Sequence, residues 1–329
     1  MRVLLTGGAG YVGSHAGRIL RAAGHEAWAY DNLTYGHRAA VPDGWLIEGD
    51  LTDRPRLEAA LRAQRIEAVM HFAAFCYVGE SVTDPARYYQ NNVVGTLSLL
   101  DAMRAADVRR IVFSSTCATY GEPETTPITE SEKQQPINPY GFTKLAIEHA
   151  LADYARAYGF GYAALRYFNA SGAAEDGTIS EDHDPETHLI PLVLQVALGQ
   201  RPEILVFGDD YPTPDGTCIR DYVHVDDLAT AHLAALERLA PGIELKLNLG
   251  TGRGASVREV IEACRQATGH PIPERIVARR PGDPPLLVAD AALARRTLAW
   301  EPRYAGIAPI VASAWRWHRT HPAGFGDRA

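Results

Sequence analysis

Short apolar runs punctuate the first half of the chain, and each is followed by residues whose apolar positions recur at helical spacing. Val3-Leu-Leu-Thr6 is the first run, closed by Gly7, and a helical pattern then runs from about Ser14 to Ala23, where Gly24 stops it. Glu26-Ala-Trp-Ala-Tyr30 is a second strand and ends in Asp31-Asn32. Trp45-Leu-Ile-Glu48 is a third, followed by Gly49-Asp50-Leu51 and a helix from about Arg54 to Gln64. Glu67 to Phe72 ends at Ala73-Ala74, and Asn91-Asn92 then opens a helix reaching about Ala106. Arg110 to Phe113 runs into Ser114-Ser115-Thr116, and Gly161 to Tyr167 is closed by Phe168-Asn169. Strands alternating with helices in this way predict an α/β fold, a doubly wound parallel sheet of Rossmann type.

The rhythm breaks after Asn169. Residues 170 to 188 are small, acidic and polar, and the mix of acids and histidine around Glu181-Asp-His-Asp-Pro185 invites a metal reading. Its spacing fits no standard site, so it is read as a solvated loop with no metal. A helix from His188 to about Gly199, a strand at Ile204 to Phe207 and a turn-rich loop to Thr217 follow. Arg220-Asp-Tyr-Val-His224 leads into an amphipathic helix from Asp226 to about Leu239, and Lys246 to Leu249 is a strand. A capped helix at Ser256 to Thr268, a proline-rich stretch with Arg279-Arg280-Pro-Gly-Asp283, and a helix at Ile307 to His318 complete the chain. Trp315 and Trp317 on that last helix are read as packing residues.

Composition narrows the function. The 329 residues are 46% hydrophobic and 22% charged, the balance of a globular chain able to bury a large core. A net charge of −8 argues against general nucleic-acid or anionic-membrane binding, and leaves room for a local basic pocket. The four cysteines, Cys76, Cys117, Cys218 and Cys264, form no Cys-x-x-Cys and read as reduced thiols of a cytoplasmic protein. The N-terminus has no signal-peptide layout, and no apolar stretch approaches the roughly 20 residues of a membrane span.

Two stretches carry chemistry. Gly7, Gly10 and Gly13 lie between a strand and a helix, in Gly7-Gly-Ala-Gly-Tyr11-Val12-Gly13. Glycine there permits a tight turn and close backbone approach to a pyrophosphate at a helix N-terminus. Asp31 stands where an acid can bind both adenosine ribose hydroxyls, which points to NAD over NADP. Ala73 and Ala74 are small enough for a flat ring to lie against them, and Asp50 is evenly divided between an adenine contact and the start of a helix. The second stretch is Tyr140-Gly-Phe-Thr-Lys144, with Asn138 as N-cap and Pro139 at the first helical position. A phenol and an ammonium at i and i+4 share a face, and a neighbouring cation lowers a phenol's pKa. Chance alone gives this spacing in roughly one chain in seven, given 15 Tyr and so few Lys. Yet basic residues here are almost all Arg, so a compact ammonium at 144 suggests a role that a planar fork cannot fill. Thr116, at a strand's carboxyl end, falls where such sheets bind ligands.

Taken in order, these motifs resemble the extended short-chain dehydrogenase/reductase superfamily, and within it the UDP-glucose 4-epimerase family, over nearly the whole chain. The resemblance rests on Gly7 to His15, Asp31-Asn-Leu33, Gly79-Glu-Ser81, Ser114 to Gly121, Tyr140 to Lys144, Arg166 to Gly172, Asp215 to Tyr222 and Arg280 to Asp283. It implies an NAD-binding domain over 1–169 with returning segments at about 219–249. It implies a smaller mixed α/β domain for the UDP-sugar over 170–218 and 250–329. Gly7, Gly10, Tyr11, Val12, Gly13, Asp31, Asn32, Asp50, Leu51, Phe72, Ala73, Ala74, Asn91, Ser114, Tyr140, Lys144 and Tyr167 would hold NAD. Thr116, Tyr140, Asn169, His188, Leu189, Arg220, Tyr222, Arg280 and Asp283 would hold the UDP-hexose. Tyr140, Lys144 and Thr116 would carry a reversible oxidation at the sugar C4, with no metal. A homodimer is implied too, paired through helices at about 92–106 and 143–157.

Three departures stand out. Cys76 falls where the family often has Lys, Thr116 where many relatives have Ser, and Leu287 where some have Tyr closing the sugar pocket. The last leaves room for N-acetylated hexosamines. A 4,6-dehydratase would need Asp-Glu after Thr116, where Cys117-Ala118 stand, and a decarboxylase would need a nearby Glu. A non-catalytic nucleotide-sugar sensor would have no need of Tyr140, Lys144 and Thr116.

Overall fold

The computed structural model describes residues 1–280 and 283–327. Pro281 and Gly282 of the Arg280–Asp283 motif lie outside the described residues. The strands are β1 (Arg2–Thr6), β2 (Glu26–Asp31), β3 (Leu46–Glu48), β4 (Ala68–His71), β5 (Arg110–Thr116), β6 (Gly161–Tyr167), β7 (Asn169–Ser171), β8 (Ile204–Phe207), β9 (Ile219–His224), β10 (Glu244–Leu249), β11 (Gly254–Ser256), β12 (Glu274–Val277) and β13 (Leu286–Leu287). The helices are α1 (Tyr11–Ala22), α2 (Arg54–Ala63), α3 (Val78–Thr83), α4 (Pro85–Tyr88), α5 (Gly95–Ala105), α6 (Pro139–Tyr158), α7 (Leu189–Ala197), α8 (Val225–Arg238), α9 (Val257–Thr268), α10 (Ala292–Leu298) and α11 (Ile307–His318).

A seven-stranded sheet in the order β10-β6-β5-β4-β1-β2-β3, parallel throughout, forms the larger part. Its strands are apolar on both faces because both faces are covered. Val3 and Leu5 of β1 join one core with Leu20 of α1 and Leu228 and Leu236 of α8. Leu4, pointing the other way, joins a second core with Leu57 of α2, Leu99 of α5 and Leu151 of α6. Strand order reverses between β1 and β4, and ligands of such sheets bind in the crevice beyond the strand ends there.

The smaller unit centres on β9, flanked by β11, β13 and β7, with β8 paired to β12 beside it. Its core is Ile190, Val193, Val260, Ile261, Ile310 and Val311 from α7, α9 and α11. A capping box fixes the start of α9, with Ser256 and Glu259 exchanging bonds. Trp317 is buried in α11, and Trp315 packs at the edge of this core.

Two expectations change. The return to the large sheet begins with α8 and continues with β10, whereas Ile219–His224 belongs to the smaller sheet. Asp221 explains this: its carboxylate accepts from the N–H groups of Thr251, Gly252 and Ala289, tying β9 to the smaller unit. Nor does Asn91-Asn92 open a helix. Asp84 caps α4 ahead of Pro85, and the helix continues through a π-helical turn at Tyr89–Val94 into α5. The reason is Asn92, fully buried, which accepts from the Phe75 N–H and donates to the Phe75 carbonyl and the Thr143 hydroxyl. A π-turn of this kind often marks a functional site.

Candidate active site

At the end of β1 the chain turns through Gly7, whose φ of 72° only glycine adopts freely. A Cβ there would lie 2.5 Å from Ala73 N, and one on Gly13 would lie 2.1 Å from the Gly7 carbonyl. Gly10 has no such neighbour, its nearest being Gly7 O at 3.4 Å, so its face is open. Helix α1 begins there without a capping side chain and without an acid in its first turn. The first-turn N–H groups of Tyr11, Val12 and Gly13 have no helical partner, which suits an anionic pyrophosphate. Asp31, buried at the end of β2, accepts from the N–H of Ala9 and of Leu33 and so locks the glycine loop to its neighbour strand. Asn32 donates to Asp50 at 2.7 Å, and the other Asp50 oxygen accepts from Thr52 in a local turn. Asp53 is the cap of α2 instead. Leu51 is buried, and Phe72 packs on His232 with ring centroids 4.9 Å apart. Ala74 is half-buried beside Ala73, and Asn91 donates to Asn92. The open face at Gly10 and the uncapped first turn of α1 fit the diphosphate of a dinucleotide.

Tyr140 and Lys144 lie on α6, which Asn138 caps by accepting from the Gly141 N–H. The Lys144 ammonium donates to the Ser114 carbonyl at 2.8 Å and sits 5.9 Å from the centre of the Tyr140 ring. The Ser114 hydroxyl pairs with Tyr167 at 2.6 Å. Thr116 accepts from the Ala118 N–H, which leaves its own proton free for the Tyr140 oxygen. The expected lowering of the phenol by Lys144 is not what the protein chain alone produces. Burial among Cys76, Tyr167 and Cys117 holds Tyr140 well above the usual phenol range, with only Thr116 opposing it. Burial also brings Lys144 down to about 8. Desolvation is the largest influence on both groups.

The substrate end lies across the crevice. Arg220 pairs with Asp283, while Asn169 donates to the Asp221 carbonyl from β7. Arg280 stacks over Phe207 at 4.0 Å. Arg280, Asp283, Tyr211, Arg279 and Glu122 border an open cleft of about 470 Å³. Tyr222 is buried on β9 and Leu189 opens α7, with His188 just before it.

The solvated-loop reading of the segment around Glu181 does not hold. Glu181 is 4% exposed, and its carboxylate accepts from His183 at 3.1 Å and from His188 at 2.8 Å. Glu186 bonds the same His188 nitrogen at 2.9 Å. Although burial opposes it, the charge of His188 holds the Glu181 carboxyl well below the carboxylate range, and the charge of Glu181 holds His188 well above 6.5. The segment is buried by distant partners: His183 packs edge-on against Tyr11 and Tyr77, and Asp182 accepts from the Phe325 N–H. The Tyr11 hydroxyl is itself spent on the Gly172 carbonyl. Sequence reasoning also missed Glu148. It lies four residues beyond Lys144 on the same face of α6 and forms a forked, buried ion pair with Arg166 at 2.6 and 3.0 Å. Ser115 donates to it, and Tyr120 continues the network to Asn248. The Tyr-x-x-x-Lys-x-x-x-Glu repeat was visible as a face; its partner was not.

A parallel sheet with a dinucleotide cradle at its switch point, and a phenol and ammonium beside it, defines a nicotinamide-dependent enzyme of the short-chain type. The NAD dependent epimerase/dehydratase family model matches residues 3–250, and the chain belongs to that family. The chain is 53% identical to a UDP-glucose 4-epimerase of Halalkalibacterium halodurans, over 99% of this chain and 98% of that one. A crystal structure of UDP-glucose 4-epimerase from Brucella ovis in complex with NAD superposes with a TM-score of 0.92, at 53% identity, covering 95% of this chain and 97% of that one. The Bifidobacterium longum UDP-glucose 4-epimerase in complex with NAD+ and UDP gives a TM-score of 0.94 at 39% identity, covering 98% and 100%.

Proposed function

We propose that this chain interconverts UDP-glucose and UDP-galactose by reversible oxidation of the hexose at C4, with NAD kept in the site. The observation that carries the reading is the convergence of Thr116, Tyr140 and Lys144 on the crevice beside the Gly7–Gly13 loop, opposite Arg220 and Arg280. Bound NAD supplies a two-electron acceptor that gives back what it takes. Gly7, Gly10, Tyr11, Val12 and Gly13 would hold its diphosphate, and Asp31 with Asn32 its adenosine ribose, with Ala73, Ser114 and Tyr167 available to its reactive end.

Tyr140 takes the proton from O4 as C4 becomes a ketone, and Thr116 steadies the phenolate with its hydroxyl. Lys144 favours the same phenolate electrostatically. Tyr140 then returns the proton after the keto sugar has turned over. That demands a firm hold on UDP through Arg220, Arg280, Asp283, Asn169, Tyr222, His188 and Leu189, and a loose hold on the hexose. Leu287 lies beside Arg220 in β13 and packs near Cys117, and leaves space that a larger ring would fill. The proposal therefore extends to N-acetylated hexosamines. Incubation with UDP-galactose, without added NAD, is expected to give UDP-glucose by NMR; an unchanged sugar would sink the reading. UDP-N-acetylgalactosamine in a parallel tube is expected to turn over as well, and failure there would restrict the reading to plain hexoses.

We further propose a working division into a cofactor unit over 1–169 with the α8–β10 return, and a substrate unit over 170–218 and 250–329. Tyr89, Val94, Leu97 and Phe142 are exposed apolar residues on neighbouring helical faces, which supports a homodimer formed through α5 and α6. Sedimentation velocity is expected to give a two-chain mass, and a monomer at micromolar concentration would count against it. The four unpaired thiols support a reducing, cytoplasmic setting.

A further inference from the structure

His188 is bound on one edge only. Its Nδ1 lies 2.8 Å from Glu181 Oε1 and 2.9 Å from Glu186 Oε1, so that nitrogen carries a proton shared between two carboxylates. Glu186 is fixed in turn by the N–H groups of Thr187 and His188. The opposite edge, Nε2, has no hydrogen-bond partner among the described residues, and the side chain is 40% exposed. His188 stands at the start of α7, and its charge, like that of Lys144, reaches Cys76 beside Tyr140 and Tyr167. In neutral imidazole with Nδ1–H, Nε2 is a lone pair that repels anionic oxygens. In the cation it is a donor.

We infer that Glu181 and Glu186 are positioning residues that hold His188 as an imidazolium whose Nε2–H binds the diphosphate of the nucleotide sugar. The inference rests on the function proposed above. Arg220 already shares its charge with Asp283, whereas both carboxylates that hold His188 bind its Nδ1 edge and leave its Nε2 edge open.

The groups facing this cluster are Glu181, Glu186, His183, Cys76, Tyr11, Tyr77 and His318, with Lys144 beyond Cys76. The two carboxylates are the nearby negative charges that favour the imidazolium, so they set the pH at which affinity is lost. With both present, His188 stays charged well above its ordinary value, and the affinity persists into mildly alkaline solution. With one removed, the loss moves down toward neutral pH.

The test measures KM and kcat for UDP-galactose at about pH 6 and about pH 8.5, either side of an ordinary histidine. UDP-galactose carries a diphosphate diester that does not titrate over that range. Glu181→Gln is expected to raise KM roughly tenfold at the higher pH and less than about twofold at the lower, with kcat moving less than KM. A rise by the same factor at both pH values would make Glu181 merely structural and overturn the inference. No rise at either would overturn it too. Glu186→Gln, which removes the other carboxylate on the same His188 nitrogen, carries the same expectation if Glu181→Gln does not fold. Wild-type enzyme that fails to turn over UDP-galactose at either pH would instead sink the underlying reading of function.

Discussion

Tyr140 is a weak acid in the chain by itself and becomes useful only through its neighbours. Burial favours its neutral form, and the Thr116 hydroxyl is the counterweight in its immediate surroundings. The positive charges near it are Lys144, brought down to about 8, and whatever the bound cofactor adds. Tyr140→Phe removes the transferable proton while leaving the glycine loop intact. It is expected to lower kcat by about 10²–10⁴-fold, with NAD still bound on purification. Retained activity would remove the phenol from the mechanism. At this scale the sequence was informative wherever partners lie close along the chain, as in the glycine loop and the Tyr140–Lys144 pair. It misjudged the segment around Glu181, where His183 packs against Tyr11 and Tyr77 and Asp182 accepts from the Phe325 N–H, all remote in sequence.

Helix α6 carries the reactive pair and the device that fixes it. Tyr140, Lys144 and Glu148 share one face, and Glu148 is clamped to β6 by Arg166 and to β5 by Ser115. Removing one partner strands the other charge in a dry interior, whereas replacing both costs less. Glu148→Ala is expected to cost about 3–5 kcal/mol in a denaturant titration. A loss below about 1 kcal/mol would show that the pair does not anchor the helix. The segment from Pro85 to Ala105 teaches the opposite lesson. Its polar Asn91-Asn92 looked like a helix start, and the side chain of Asn92 turned out to hold the Phe75 loop through a π-turn. Local composition cannot distinguish a polar residue at a helix end from one driven into the core by a tertiary partner.

Across the whole molecule, the alternation of strands and helices was enough to call for a parallel doubly wound sheet. Strand order was not readable, because it depends on which crossovers pass over which face. The same large core makes the protein sensitive to acid. Burial lowers His71 to about 3 and His224 and His232 to about 4. A histidine with a depressed folded pKa contributes stability that is complete above its unfolded value near 6.5 and is lost as pH falls toward the folded value. His188 works the other way, since its folded pKa is raised and its contribution is complete below about 6.5. His15 and His318 are lowered by burial as well, so five histidines oppose one, and the melting temperature is expected to fall by several degrees between about pH 7 and about pH 5. A flat or rising profile would show that these histidines are not held neutral.

The central claim is that this fold oxidises and restores one carbon without letting its hydrogen escape. UDP-galactose deuterated at C4, incubated in ordinary water without added NAD, measures that directly. The account expects UDP-glucose that keeps its deuterium at C4; UDP-glucose with that label lost to water would contradict it.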